Sequence, residues 1–195
     1  VTFEMAGGSR RRQRLDLPVA QKAESQDICF IPDNDYASFI EGHAPERLAG
    51  AGPLVSVDGL RIGQHRGLHR YTIGQRRGLG VSAATPRYVV RIDPEKNAVV
   101  VGDREDAYST GLYAEGASWL DAVPAEGARV RARIRHNHEG ASGTVYPNAD
   151  KSFRITFDEP VLAVTPGQQV VLYEGRRVLG AGTIEIGLGA REQAV

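Results

Sequence analysis

Cys29 is the only thiol in a chain of 195 residues. It lies in Ser25-Gln26-Asp27-Ile28-Cys29-Phe30-Ile31-Pro32-Asp33, which is polar before the sulfur and apolar after it. An isolated cysteine is commonly a small, inert core residue. A nucleophilic one needs thiolate, and a free thiol at neutral pH is only about a few per cent ionised unless a cation or a helix N-terminus lies near it. Both readings are open from the residue alone. A metal centre is a third arrangement to weigh: His65 and His69 are four apart, and His136 and His138 flank Asn137. Gly67 opposes a helix through the first pair, and no CxxC or HExxH accompanies them. No metal is expected, and these histidines read as surface or RNA-stacking groups.

The arginines carry the second chemistry. In Arg129-Val130-Arg131-Ala132-Arg133-Ile134-Arg135-His136 a strand puts all four arginines on one face and Val130, Ala132 and Ile134 on the other. Such a stripe either pairs with nearby carboxylates or contacts phosphates, since alternate residues lie ~6.5–7 Å apart and neighbouring phosphates ~6 Å. Segment 64–80 adds Arg66, Arg70, Arg76 and Arg77 on a glycine-rich backbone unsuited to a regular helix. The tail, with Gly7-Gly8-Ser9 before Arg10, Arg11, Arg12 and Arg14, is either a solvated segment or an RNA-contacting arm. Neither a G-x-x-x-x-G-K-[ST] loop nor a GxGxxG is present, so no ATP site is expected within this chain. No Ser/His/Asp order supports a triad.

The composition frames these groups. Charged residues make up 25% of the chain with a net charge of zero, which argues against disorder and against a globally basic nucleic-acid binder. Any nucleic-acid contact must therefore come from where the arginines cluster. One cysteine cannot form an internal disulfide, and a reducing, cytoplasmic setting is the default. No apolar run approaches the ~20 residues that span a bilayer, so no membrane partner is expected.

The 23 glycines and 10 prolines predict many short strands. A short helix is expected over 35–42, capped by Asp35, with Tyr36, Phe39 and Ile40 on one face. A hairpin is expected at 53–63 around Asp58-Gly59, in the type I′ form where both residues tolerate positive φ. A second hairpin spans 87–93 and 98–102. Strands then follow at about 112–120, 128–136, 142–147, 152–158, 169–174 and 177–185, closely enough spaced for a β-barrel. The expected fold is mainly β with few short helices. A tail and cysteine-bearing segment (1–45) precedes a small β-rich central domain (46–112) and a C-terminal β-barrel (113–195).

Several motifs together resemble one family. They are Ser25-Gln26-Asp27-Ile28-Cys29-Phe30-Ile31-Pro32, His65-Arg66-Gly67-Leu68-His69 through Tyr71-Thr72-Ile73-Gly74-Gln75-Arg76-Arg77-Gly78-Leu79-Gly80, Tyr88-Val89-Val90, and Phe157-Asp158-Glu159-Pro160 through Thr165-Pro166-Gly167-Gln168. They closely resemble bacterial tRNA-specific 2-thiouridylases of the MnmA type, from about Leu17 to Glu185.

The resemblance implies ATP-dependent replacement of the C2 oxygen of a tRNA wobble uridine by sulfur. It implies that Cys29 carries the persulfide, loaded by a cysteine desulfurase or a sulfur-relay protein. A second cysteine, in an N-terminal domain of the family, then releases the sulfur. Arg135 and His136 match an Arg-aromatic pair that contacts tRNA, with histidine as a departure that can still stack or hydrogen-bond. Gln168 matches another tRNA contact; Arg76, Arg77 and Arg133 are further candidates. The barrel is expected to resemble the second domain of elongation-factor GTPases. The family's SGGxDS phosphate loop and second cysteine are missing here. The chain therefore reads as a C-terminal portion, inactive alone, whose ATP and Mg would bind elsewhere in the whole enzyme. No glycine-rich cofactor loop supports methyl transfer. The competing reading is a stand-alone RNA- or protein-binding barrel with an inert cysteine.

Overall fold

The computed structural model describes residue 31 and residues 35–189, apart from 82 and 137. The chain divides into two compact units, 1–45 and 46–195. In the first, the described element is helix α1 (Tyr36–His43). Asp35 caps it as expected, its carboxylate accepting from the Ser38 backbone N–H at 3.0 Å. The expected apolar face is not what the helix buries. Tyr36 is 41% exposed, and Ala37 is the buried position. Phe39 instead stacks on His43, with ring centroids 3.9 Å apart.

The second unit holds two sheets. The smaller contains β1 (Gly52–Ser56), β2 (Arg61–His65), β3 (Tyr88–Asp93) and β4 (Ala98–Gly102), in the order β2-β1-β4-β3. β4 is buried along its whole length, as a continuous apolar run in a central strand should be. Its pairing with β1 is parallel, Leu54 opposite Val99. The β1–β2 turn is not type I′. The Gly59 N–H donates to the Ser56 carbonyl at 2.9 Å, and Gly59 alone is left-handed, at φ 81. A three-residue loop ending in a left-handed glycine matches strand twist with Asp58 at negative φ.

Six strands close the barrel: β5 (Tyr108–Trp119), β6 (Ala128–Arg133), β7 (Ala141–Pro147), β8 (Phe153–Leu162), β9 (Gln169–Glu174) and β10 (Arg177–Gly189). Their order around the barrel is β10-β5-β8-β7-β6-β9. Inward positions alternate along β6 to β9, and Phe153, Ile155, Leu112, Leu172, Ile134 and Ile184 fill the interior with less than 2% exposure. Closure leaves no sheet edge, which is how a small all-β unit avoids open pairing. The mainly β fold with a closed barrel is thus as the sequence predicts, with β5, β8 and β10 longer than expected.

Among the described residues no helix is long and apolar enough to cross a membrane.

A candidate RNA-binding groove at one end of the barrel

β6 ends at Arg133, three residues short of the expectation, because the chain turns there. The His138 N–H donates to the Arg135 carbonyl at 3.1 Å, and the Ile134 N–H reaches His138 Nδ1 at 3.4 Å. Arg133 braces this turn. Its Nε donates to the His138 carbonyl and its Nη2 to the His136 carbonyl, each at 2.8 Å. Arg135 points the other way, its Nη1 donating to the Leu162 carbonyl at 3.2 Å. Leu162 closes β8 and leads into the turn holding Gln168. That turn is fixed by a left-handed Gly167, whose N–H donates to the Ile184 carbonyl at 2.7 Å.

The two turns face one open groove of about 610 Å³, into which Arg133, Arg135, His136 and Gln168 all project. Of the residues singled out from the sequence, these four are brought together. Arg76 and Arg77 are exposed on the segment between β2 and β3 and do not line it. Cys29 lies outside the described residues.

The remaining walls come from β9. β6 and β9 pair with Arg131 opposite Tyr173 and Arg133 opposite Val171. Directly paired residues share a face, so Tyr173 and Val171 stand beside the arginines while Leu172 points inward with Ala132. Tyr173 lines the groove and offers a ring for base stacking next to the exposed His136. Strand alternation alone would have found it, since Val170 and Leu172 are the inward pair.

The arginine stripe is not uniform. Arg129 is closed off by a fork-to-fork ion pair with Asp158, Nη1 to Oδ1 at 2.7 Å and Nη2 to Oδ2, and also donates to Thr144. That is the ion-paired alternative, and it removes one of the four expected phosphate contacts. Arg131, Arg133 and Arg135 have no carboxylate partner among the described residues. Their combined field is felt by His138. Partial burial holds its imidazolium form below the ordinary histidine range, and Arg135, Arg133 and Arg131 push further the same way against Glu139.

His65 is a correction of a different kind. Expected as a surface or RNA-stacking group, it is fully buried in the small sheet. Its Nδ1 accepts the Gly67 N–H at 3.1 Å, which leaves the proton on Nε2, donated to the Asn97 carbonyl at 2.8 Å. Gly52 sits against that contact: a Cβ there would lie 2.1 Å from the Asn97 oxygen. Among the described residues no cluster of three histidine, cysteine or acidic side chains could hold a metal ion.

Comparison with known proteins gives two adjoining family matches. Residues 37–103 match the "tRNA methyl transferase PRC-barrel domain" model, and residues 109–184 the "Aminomethyltransferase beta-barrel domain" model. The chain is 49% identical over 174 residues to the tRNA-specific 2-thiouridylase MnmA of Moorella thermoacetica, covering 88% of this chain and 48% of that protein. It is 46% identical over 168 residues to the protein of the same name from Halothermothrix orenii, covering 86% and 47%. The Geobacter metallireducens counterpart is 43% identical over 192 residues, covering 95% of this chain and 51% of the relative. The chain thus spans about half the length of the curated relatives it matches.

Proposed function

We propose, from the fact that the chain belongs to the tRNA-specific 2-thiouridylase family, that it supplies the sulfur-bearing cysteine and the RNA grip of a tRNA sulfurtransferase. The observation that carries this reading is the meeting of Arg133, Arg135, His136 and Gln168 at one groove. They come from the end of β6 with the turn after it and from the turn after β8, more than thirty residues apart in sequence, and the family resemblance marks three of them as tRNA contacts. Three cations without carboxylate partners, beside an imidazole and a phenol ring, form a surface for phosphates and unstacked bases. Arg135 and Arg131 act as point contacts for phosphate. Arg133 keeps its charge while its hydrogen bonds hold the turn that presents His136.

In the complete enzyme, the terminal sulfur of a Cys29 persulfide attacks C2 of a tRNA uridine whose oxygen has been adenylated, and AMP departs with that oxygen. The family's second cysteine then attacks Cys29 Sγ, which frees the thiolated base and leaves a disulfide between the two cysteines. The uridine oxygen is activated with ATP and Mg at a site for which this chain has no phosphate loop. A persulfide ionises more readily than a thiol, so it is the better nucleophile near neutral pH. A cysteine desulfurase or a sulfur-relay protein loads it.

Two substitutions in a complete 2-thiouridylase carrying this chain test the division of labour. Cys29→Ser should abolish thiolation and leave tRNA affinity unchanged. Arg135→Ala should raise KM for tRNA and leave persulfide loading of Cys29, read as a mass gain of one sulfur atom, unchanged. Thiolation by the Cys29→Ser enzyme would refute the sulfur assignment. It would favour an RNA-binding barrel with an inert cysteine.

A further inference from the structure

From Gly59 to Ile92 the sequence carries seven arginines and no aspartate or glutamate. Arg87 is paired with Asp103 at 3.1 Å and Arg91 with Asp93 at 3.3 Å. Arg76 and Arg77 are exposed and have no carboxylate partner among the described residues. A hollow of about 430 Å³ opens beside Arg76, walled by Gly78, Leu79, Gly80 and Val81 and faced by Arg87.

The backbone beside this hollow alternates in the sign of φ. Gly78 and Gly80 are left-handed, at φ 73 and 68, and the residue before each, Arg77 and Leu79, is not. Such alternation turns successive N–H groups toward one side, the arrangement that forms an anion-binding nest. From Arg76 to Val81, no backbone N–H donates to an acceptor among the described residues. The loop is also held in place. Leu79 is only 6% exposed and packs into the core with Leu54, Val89, Val99 and Val101. Gln75 ties it down further, its Nε2 donating to the Arg77 carbonyl at 2.9 Å and its Oε1 accepting the Thr72 N–H at 3.0 Å.

We propose that residues 76–81, with Arg87 opposite, form a phosphate-binding pocket distinct from the barrel groove, with which it shares no residue. Its ligand is a phosphoryl group, held by backbone amides and the Arg76 guanidinium. As a second contact to an RNA backbone, it rests on the RNA-binding reading above. As a site for free phosphate, it does not.

The test is an amide-resolved NMR titration of the 195-residue chain, with tRNA in one arm and inorganic phosphate in the other. A tRNA backbone seated in the pocket should shift the amides of Gly78, Gly80 and Val81. It should also make Arg76→Ala reduce the salt sensitivity of tRNA binding, read as the Kd ratio between 200 and 50 mM salt, by about threefold, one phosphate contact's share. The same factor should be lost in an Arg135→Ala background. Shifts with inorganic phosphate alone assign the pocket to a free anion. If tRNA moves amides around Arg135 while those of 78–81 respond to neither ligand, the pocket is overturned and the RNA reading stands. If tRNA does not bind at all, the RNA reading falls, and the phosphate arm alone decides the pocket.

Discussion

Arg135 donates its Nη1 to the Leu162 carbonyl at 3.2 Å, bridging the turn after β6 to the end of β8. A neutral carbonyl orients the guanidinium without cancelling its charge. The cation is therefore held at the groove and remains available to a phosphate. Arg129, six residues earlier on β6, is held by Asp158 instead.

That difference can be measured. Arg129→Ala should leave the salt dependence of tRNA binding unchanged, because Asp158 already serves as its counterion. Asp158→Asn should tighten binding at low salt, since it frees Arg129 and removes a negative charge that repels phosphate. Titrations at 50 and 200 mM salt check both. A drop in salt slope on Arg129→Ala would place a phosphate at that ion pair.

His138 gives a pH prediction whose sign is fixed by its surroundings. Its folded pKa is lowered by partial burial and by Arg135, Arg133 and Arg131. As pH falls below about 6.5, the unfolded chain takes up a proton that the folded chain resists. His138 should therefore cost no stability above that pH and an increasing amount below it, until the folded pKa is also passed. Denaturant midpoints from pH 7.5 to 5 should fall less steeply for His138→Gln than for the parent chain. Identical profiles would remove the arginines' field from the account.

The barrel interior should tolerate little. Phe153 is fully buried and packs against Trp119, with ring centroids 5.4 Å apart. Phe153→Ala should cost about 3–5 kcal/mol by urea unfolding. A loss below about 1 kcal/mol would mean that the interior collapses around the vacancy.

His65→Ala should destabilise the small sheet by about 1–3 kcal/mol, because the Asn97 carbonyl and the Gly67 N–H lose their buried partner. Amide exchange at Gly67 and Leu68 should quicken, with the barrel amides unaffected. Unchanged exchange at Gly67 would show that His65 does not hold the start of the arginine-rich segment.

The strands were legible because their alternation is local. Val170 and Leu172 inward against Val171 and Tyr173 outward needs no partner to be read. Non-local pairings were not legible. Nothing in Leu54 or Val99 announces a parallel pairing across more than forty residues. The same limit explains the site. Asp158 lies on β8, and the registers of β6 on β7 and of β7 on β8 bring it to Arg129 across β7. His65 reads as exposed from the sequence because its partners, the Gly67 N–H and the Asn97 carbonyl, are backbone groups without side-chain signatures. Arg135, His136 and Gln168 were found through the family resemblance. Charge alone marked the whole stripe, including the arginine that is neutralised.

The most direct test is the salt dependence of tRNA binding by the chain and by its Arg135→Ala variant. Arg133 and Arg135 at the groove, with Arg131 two residues before Arg133 on β6, contribute about −2 to −3 to the log–log slope, and removal of Arg135 flattens it by about 0.7–0.9. An identical slope for the two proteins would contradict the account, because the groove would then not be where the RNA backbone binds.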